Sequence, residues 1–282
     1  MNRRESIGLI GTGALGMAAL SPAVGARSKP ALLDLDPANP DHLALIHRKL
    51  AWATGDTVGY WWLKGIRYAA VPPTYTPFWN MLIAKIFKVQ DIDADTYAVT
   101  SISTTFYTDL KTGALLETFN NPITGKVNQI RYPEPKVTVE RFGRKGELNL
   151  PSIPGSTVTH NSEPGPAWIV GDDVWVRSDM AFRAVPDDLT RKAFQVEDFS
   201  TYWGSLKEVA NPKIGAVATG QVFTDVLNFP TWLEMGDRNG HYFSRCFGRK
   251  VFRQEDMPAE WQRLVAERYP DLSRNAAAML SG

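Results

Sequence analysis

Over most of its length the chain alternates polar and apolar residues with a period of two. After the Gly171-Asp172 turn, Val174, Val176, Ser178, Met180 and Phe182 fall on one face. Trp175, Arg177, Asp179, Ala181 and Arg183 fall on the other. Successive side chains of a strand point to opposite faces, so this segment is predicted as a β-strand with one mostly apolar face. Strand-like runs recur at 57–68, 98–110, 114–120, 126–132, 137–142, 147–153, 167–170, 194–202, 216–227 and 241–252. Turn signals such as Lys111-Thr112-Gly113 and Asn121-Pro122 separate them. The apolar run 78–89 fits a short helix or a strand equally well. Only two segments carry a helical pattern. One is 42–51, with Leu43, Ile46 and Leu50 on one stripe and Asp41 as its cap. The other is 258–269, which starts at Pro258 and stops before Pro270.

About ten short strands flanked by an N-terminal and a C-terminal helix predict a mainly β fold, a barrel or a sandwich, of which a large antiparallel β-barrel is expected. Closure removes the exposed edges that so many strands would otherwise leave. The 282 residues suffice for one such domain at 27–282. With 31 Lys+Arg against 30 Asp+Glu there is no basic excess, so no nucleic-acid partner is expected. The single cysteine, Cys246, rules out an intramolecular disulfide and any cysteine-based zinc site.

The first residues hold two overlapping signals. Gly11-Thr12-Gly13-Ala14-Leu15-Gly16 follows an apolar run and has the G-x-G-x-x-G spacing of a dinucleotide fingerprint. Its context is wrong, because Pro22 breaks the helix that should follow, and no alternating strand–helix units come after residue 40. Arg3-Arg4 ahead of a weakly apolar, glycine-rich stretch, with small residues near Val24-Gly25-Ala26, reads instead as a twin-arginine-type export signal over 1–26. That reading predicts a periplasmic protein, no nucleotide cofactor, and no stable membrane span, since the apolar stretch is too short.

No nucleophile elbow, zincin motif or phosphate loop is present, and four scattered histidines argue against a histidine-rich metal site. Two stretches stand out. The mixed face of the 173–183 strand, with Trp175, Arg177 and Arg183, is either a wet surface or the polar lining of a barrel lumen. The 241–249 strand places His241, Phe243, Arg245, Phe247 and Arg249 together. Histidine titrates near working pH and arginine can hold a developing oxyanion, so His241, Arg245 and Arg177 are the expected catalytic set. Tyr60, Arg67, Tyr107, Asp109 and Trp203 are expected to join Trp175 and Arg183 in binding the substrate.

The Gly65-to-Ala69 segment with Pro72-Pro73, the Asp109-to-Gly113 turn with Asn120-Asn121-Pro122, and the terminal Gly240-His241 to Ser244-Arg245 and Gly248-to-Val251 segments resemble the bacterial and fungal family called domain of unknown function 1838. The resemblance implies an exported β-rich domain and carries over no catalytic residue. The chain also looks like lipocalin-like barrels, an analogy of fold alone. Together these readings anticipate a cofactor-independent lyase, isomerase or hydratase acting on an aromatic or terpenoid-like small molecule. The alternative is a carrier that binds such ligands without chemistry. The oligomeric state is left open.

Overall fold

The computed structural model describes residues 31–149, 153–162, 164–188, 190 and 192–280. The expected export signal at 1–26 lies outside them. Helix α1 (Pro40–Ala51) is capped by Asn39, whose side-chain oxygen accepts from the backbone N–H groups of Asp41 and His42. The cap therefore falls two residues before the predicted Asp41. Pro40 occupies the first turn, where a missing N–H costs nothing.

Most of the remaining chain is β. In order come β1 (Val58–Val71), β2 (Thr74–Asp91), β3 (Thr96–Thr108), β4 (Thr118–Asn120), β5 (Val127–Gln129), β6 (Val137–Gly143) and β7 (Leu148–Asn149). These are followed by β8 (Ser156–Asn161), β9 (Pro164–Val170), β10 (Asp173–Pro186), β11 (Phe194–Ser205), β12 (Thr219–Leu227) and β13 (His241–Val251). A short helix, α2 (Leu206–Val209), separates β11 from β12, and α3 (Ala259–Arg268) and α4 (Pro270–Met279) end the described chain.

Eleven strands form one antiparallel sheet in the order β7-β6-β3-β2-β1-β13-β12-β11-β10-β8, with β9 also paired to β10; β4 and β5 make a separate hairpin. Pairing β1 with β13 brings the first and last long strands side by side, and the sheet curls into a half-barrel. The mainly β architecture with a helix at each end is thus present. The curl stops short of a continuous ladder: β7 and β8 remain sheet edges, linked nearby through the Leu148 backbone N–H, which donates to Ser162 Oγ at 2.9 Å. The ambiguous 78–89 run is the middle of β2, and ladders to both β1 and β3 decide the matter. Two elements had no clear sequence signal. β8 is polar almost throughout, and α4 starts on the same proline that stops α3.

The two faces of the sheet are covered differently. On the convex side α3 and α4 pack Trp261, Leu264 and Leu272 onto Leu82, Ile86 and Phe106 of β2 and β3. Trp261 also donates its indole N–H to Thr104 Oγ1 at 3.0 Å. On the concave side α1 buries Ile46 and Leu50 against Val174 and Val176 of β10. Its C-terminal carbonyls are gathered by a fully buried lysine of β13: Lys250 Nζ donates to the carbonyls of Lys49, Leu50 and Trp52 at 2.7, 2.7 and 2.6 Å. A cation at a helix C-terminus is favoured by the unsatisfied carbonyls there, and these three bonds make burying the ammonium tolerable. Burial alone pushes the proton affinity of Lys250 well below that of a free lysine.

Candidate functional site

The concave face encloses a cavity of about 300 Å³, within the range of small-molecule sites. Its walls are mostly apolar. Trp61 and Leu63 come from β1, Ile83 from β2, Phe142 from β6, Met180 from β10 and Phe223 from β12. Trp52 and His47 of the α1 region close one side. The polar contribution is small and comes from few side chains, chiefly Lys85, Glu140, Asp198, Ser200, Gln221 and Ser178.

Strand β11 supplies the most unusual of these. Asp198, Ser200 and Tyr202 alternate onto the concave face, because residues two apart share a face. Across the β11–β12 ladder they meet Asp225, Phe223 and Gln221 in register. Asp198 and Asp225 are therefore directly opposed carboxyls on one face, and their environments differ. Asp225 is buried and held by Arg67 through two bonds, Nη1 to Oδ1 at 2.6 Å and Nη2 to Oδ2 at 2.8 Å. It also accepts from the backbone N–H and the hydroxyl of Ser244 at 2.8 and 2.5 Å. The Asp198 carboxyl has no hydrogen-bond partner among the described residues and faces the cavity. Burial first, and then the neighbouring Asp225, push its pKa up to about 7, against the pull of Lys85 and Arg67. A buried carboxyl raised in this way by desolvation and a neighbouring carboxylate is suited to acid–base work.

Around Arg67 lies a buried aromatic group. Its guanidinium sits 4.2 Å from the centre of the Tyr242 ring, and Tyr107 packs alongside through Trp79. Burial raises the pKa of both tyrosines, so they stay neutral phenols. On the opposite side of the cavity His47 Nε2 lies 3.2 Å from Ser178 Oγ, and its Nδ1 is buried without a partner. Burial, reinforced by the charge of Lys250, lowers the His47 pKa to about 4. This imidazole is neutral wherever the protein works near neutrality. The Lys85 ammonium bonds Glu140 at 3.1 Å across β2 and β6 and contributes the cavity's cationic group. Among the described residues, no three His, Cys, Asp or Glu side chains come together to hold a metal ion.

A family model described as "Protein of unknown function (DUF1838)" matches residues 55–281, nearly the whole of this β architecture. The chain belongs to the DUF1838 family. No curated protein matches it.

The residues singled out from the DUF1838 sequence divide between the two faces. Arg67 and Tyr107 lie on the concave side, in the buried network beneath Asp198. Tyr60 is buried on the opposite face, under α3, where it packs with Trp261 and Met257. Asp109 sits in the turn after β3, its carboxylate accepting from the N–H groups of Lys111 and Thr112 as a turn residue does. Trp175 and Trp203 stack on each other on the convex side, ring centres 5.0 Å apart. Arg177 is exposed and pairs with Asp179, and Arg183, His241 and Arg245 are exposed as well. None of these convex residues lines the cavity. The face of β10 that enters the concave side is the apolar one, Val174, Val176, Ser178 and Met180, since α1 and the cavity need it there. The expected grouping of Arg177 with His241 in a lumen is corrected accordingly.

The residues that do line the cavity carried a weak and inverted signal. In 194–203 the alternation sets Asp198 and Ser200 opposite Phe199 and Trp203, so the more apolar set reads as the inward one. In 220–226 Gln221 and Asp225 likewise alternate with Val222 and Val226. Polar residues on a sheet's inner face, with apolar residues outside, are the sequence mark of a lined cavity here.

Proposed function

We propose that the concave cavity takes an apolar, aromatic or terpenoid-like small molecule and that Asp198 moves a proton on it. This reading makes the protein a cofactor-independent lyase, isomerase or hydratase. The observation that carries it is the Asp198 carboxyl, which faces an apolar cavity without a hydrogen bond of its own, opposite a carboxylate already committed to Arg67. An acid with a pKa of about 7 can give or take a proton at neutral pH, and such groups contribute roughly 10²–10⁴ in rate. Lys85, on the same wall, offsets negative charge that develops on a bound oxygen, and Trp61 with Phe142 packs against the apolar body. Residues 1–26 serve on this reading as an export signal to the periplasm, which is checked by whether exported protein begins near Arg27.

The mostly apolar walls also support the carrier alternative. One experiment separates the two. Purified protein is titrated with a panel of aromatic and terpenoid carbonyl and hydroxyl compounds, following tryptophan fluorescence and product together. The enzyme reading predicts that Asp198→Asn keeps quenching and loses turnover by at least about a hundredfold. Quenching without product in both proteins would establish the carrier. Turnover that survives Asp198→Asn would remove Asp198 from the chemistry.

A further inference from the structure

Among the described residues, α3 and α4 cover the convex face over β1–β3 and reach β13 at its end, Val251. Over β10–β12 and the rest of β13 it remains open and rich in aromatics. Its side chains stand in rows set by the ladder registers. One row runs Trp168, Trp175, Trp203, Gly220, Arg249, and the next runs Arg177, Thr201, Val222, Phe247. Phe199 lies one row further along. Gly220 is required here, since a Cβ on it would stand 2.2 Å from the Trp203 ring that lies across it. Phe247 is 62 % exposed, Val222 49 %, Trp168 47 % and Phe199 44 %. With ~200 Å² per aromatic side chain, and the half-exposed Trp175 and Trp203 added, the apolar surface reaches several hundred Å². That exceeds singly scattered surface residues and suits the apolar centre of an interface whose polar rim makes up the rest of the ~800 Å² per partner.

The charges on this face complement one another. Arg245 and Arg249 of β13 have no ion-pair partner among the described residues, and neither has Glu197 of β11. They lie on opposite sides of β12. We propose that this open half of the convex face is a self-association surface, on which a second copy of the chain packs sheet to sheet about a two-fold axis running along β12. That rotation lays β13 of one copy over β11 of the other. Arg249 of the second copy then stacks on Trp203, Phe247 covers Thr201, and Arg245 falls beside Phe199 and Glu197. The contact is isologous and therefore closes as a dimer. An anionic membrane surface matches this face less well, because Glu197, Asp173 and Asp179 share it with the arginines.

Sedimentation velocity on the full chain at roughly 1–100 µM tests the proposal. A dimer is expected, converted to monomer by Phe247→Glu with an unchanged near-ultraviolet circular dichroism spectrum. Glu197→Arg and Arg245→Glu should each weaken association by about tenfold or more, and their combination should restore it. A chain that stays monomeric at 100 µM overturns the proposal, as does a dimer indifferent to both Phe247→Glu and the charge exchange. So does a monomer that sediments with phosphatidylglycerol vesicles.

Discussion

The two faces of one sheet, made from the same strands, show how differently a chain treats its polar groups. On the concave side each strand contributes one or two polar residues to an apolar wall, and nearly all are bonded: Asp225 to Arg67 and Ser244, Gln221 to Ser200, Lys85 to Glu140. The Asp198 carboxyl is not bonded among the described residues, and burial raises its proton affinity. On the convex side Arg177, Arg245, Arg249 and His241 are exposed to solvent, where water satisfies them and their charge has little effect on stability. A buried polar group matters energetically and chemically because the interior must answer for it; an exposed one need not be answered for. Both faces carry aromatics, but concave rings wall a cavity, whereas convex rings stack on each other and remain half exposed.

The largest difference should appear in stability. Arg67→Ala leaves the Asp225 carboxylate buried without its cation and is expected to cost about 3–5 kcal/mol in urea unfolding. Arg183→Ala, on the same sheet but outside, should stay within about 0.5 kcal/mol. Equal costs would break the distinction between the faces.

The next effect is in pH dependence. Asp198 has a folded pKa raised above its unfolded value, so its protonated form favours folding. That contribution is complete below about pH 4 and is lost as pH rises through 7. Asp198→Asn removes the decline, and the variant should gain roughly 2–4 kcal/mol on the wild type between pH 4 and 8. His47 works with the opposite sign. Its pKa is lowered to about 4, so its contribution is present above about 6.5 and is lost as pH falls through 4. His47→Gln should flatten the acid side by about 1–3 kcal/mol. In the wild type the two slopes oppose each other between pH 4 and 6.5, and each single variant should uncover the other.

The smallest effect concerns the convex stack. Trp175→Ala loses an offset aromatic pair with Trp203 that is worth about 0.5–1.5 kcal/mol beyond burial, with no change in ligand-dependent quenching.

The strand series, the terminal helices and the turns were legible because each rests on local periodicity and local turn chemistry. The inward face of each strand was legible only where the core is apolar. In β10 the apolar Val174 and Val176 turn inward, opposite to the Trp175, Arg177 and Arg183 face that side-chain chemistry favours. Asp198, Ser200, Gln221 and Asp225 did not announce their face, because a lined cavity reverses the polarity rule and a single strand cannot reveal that its polar side faces inward. Arg67 and Tyr107, expected to bind substrate, lie on the concave side in the buried network and do not line the cavity. Their actual partners, Asp225 and Tyr242, lie on strands far along the chain that only the β1–β13–β12 pairing brings near. His241 and Arg177 drew attention by side-chain chemistry, and it is the register of the sheet that carries them outward. His47 carries no mark of burial in the sequence, and it is the packing of α1 against β10 that buries it.

The central claim is that Asp198 is the poised proton-transfer group of the concave cavity. Carbon-13 NMR of aspartate-labelled protein, with the Asp198 signal assigned by its loss in Asp198→Asn, tests this without knowledge of the substrate. A titration midpoint near 7 is expected. A midpoint near 4, that of a carboxylate in water, would contradict it.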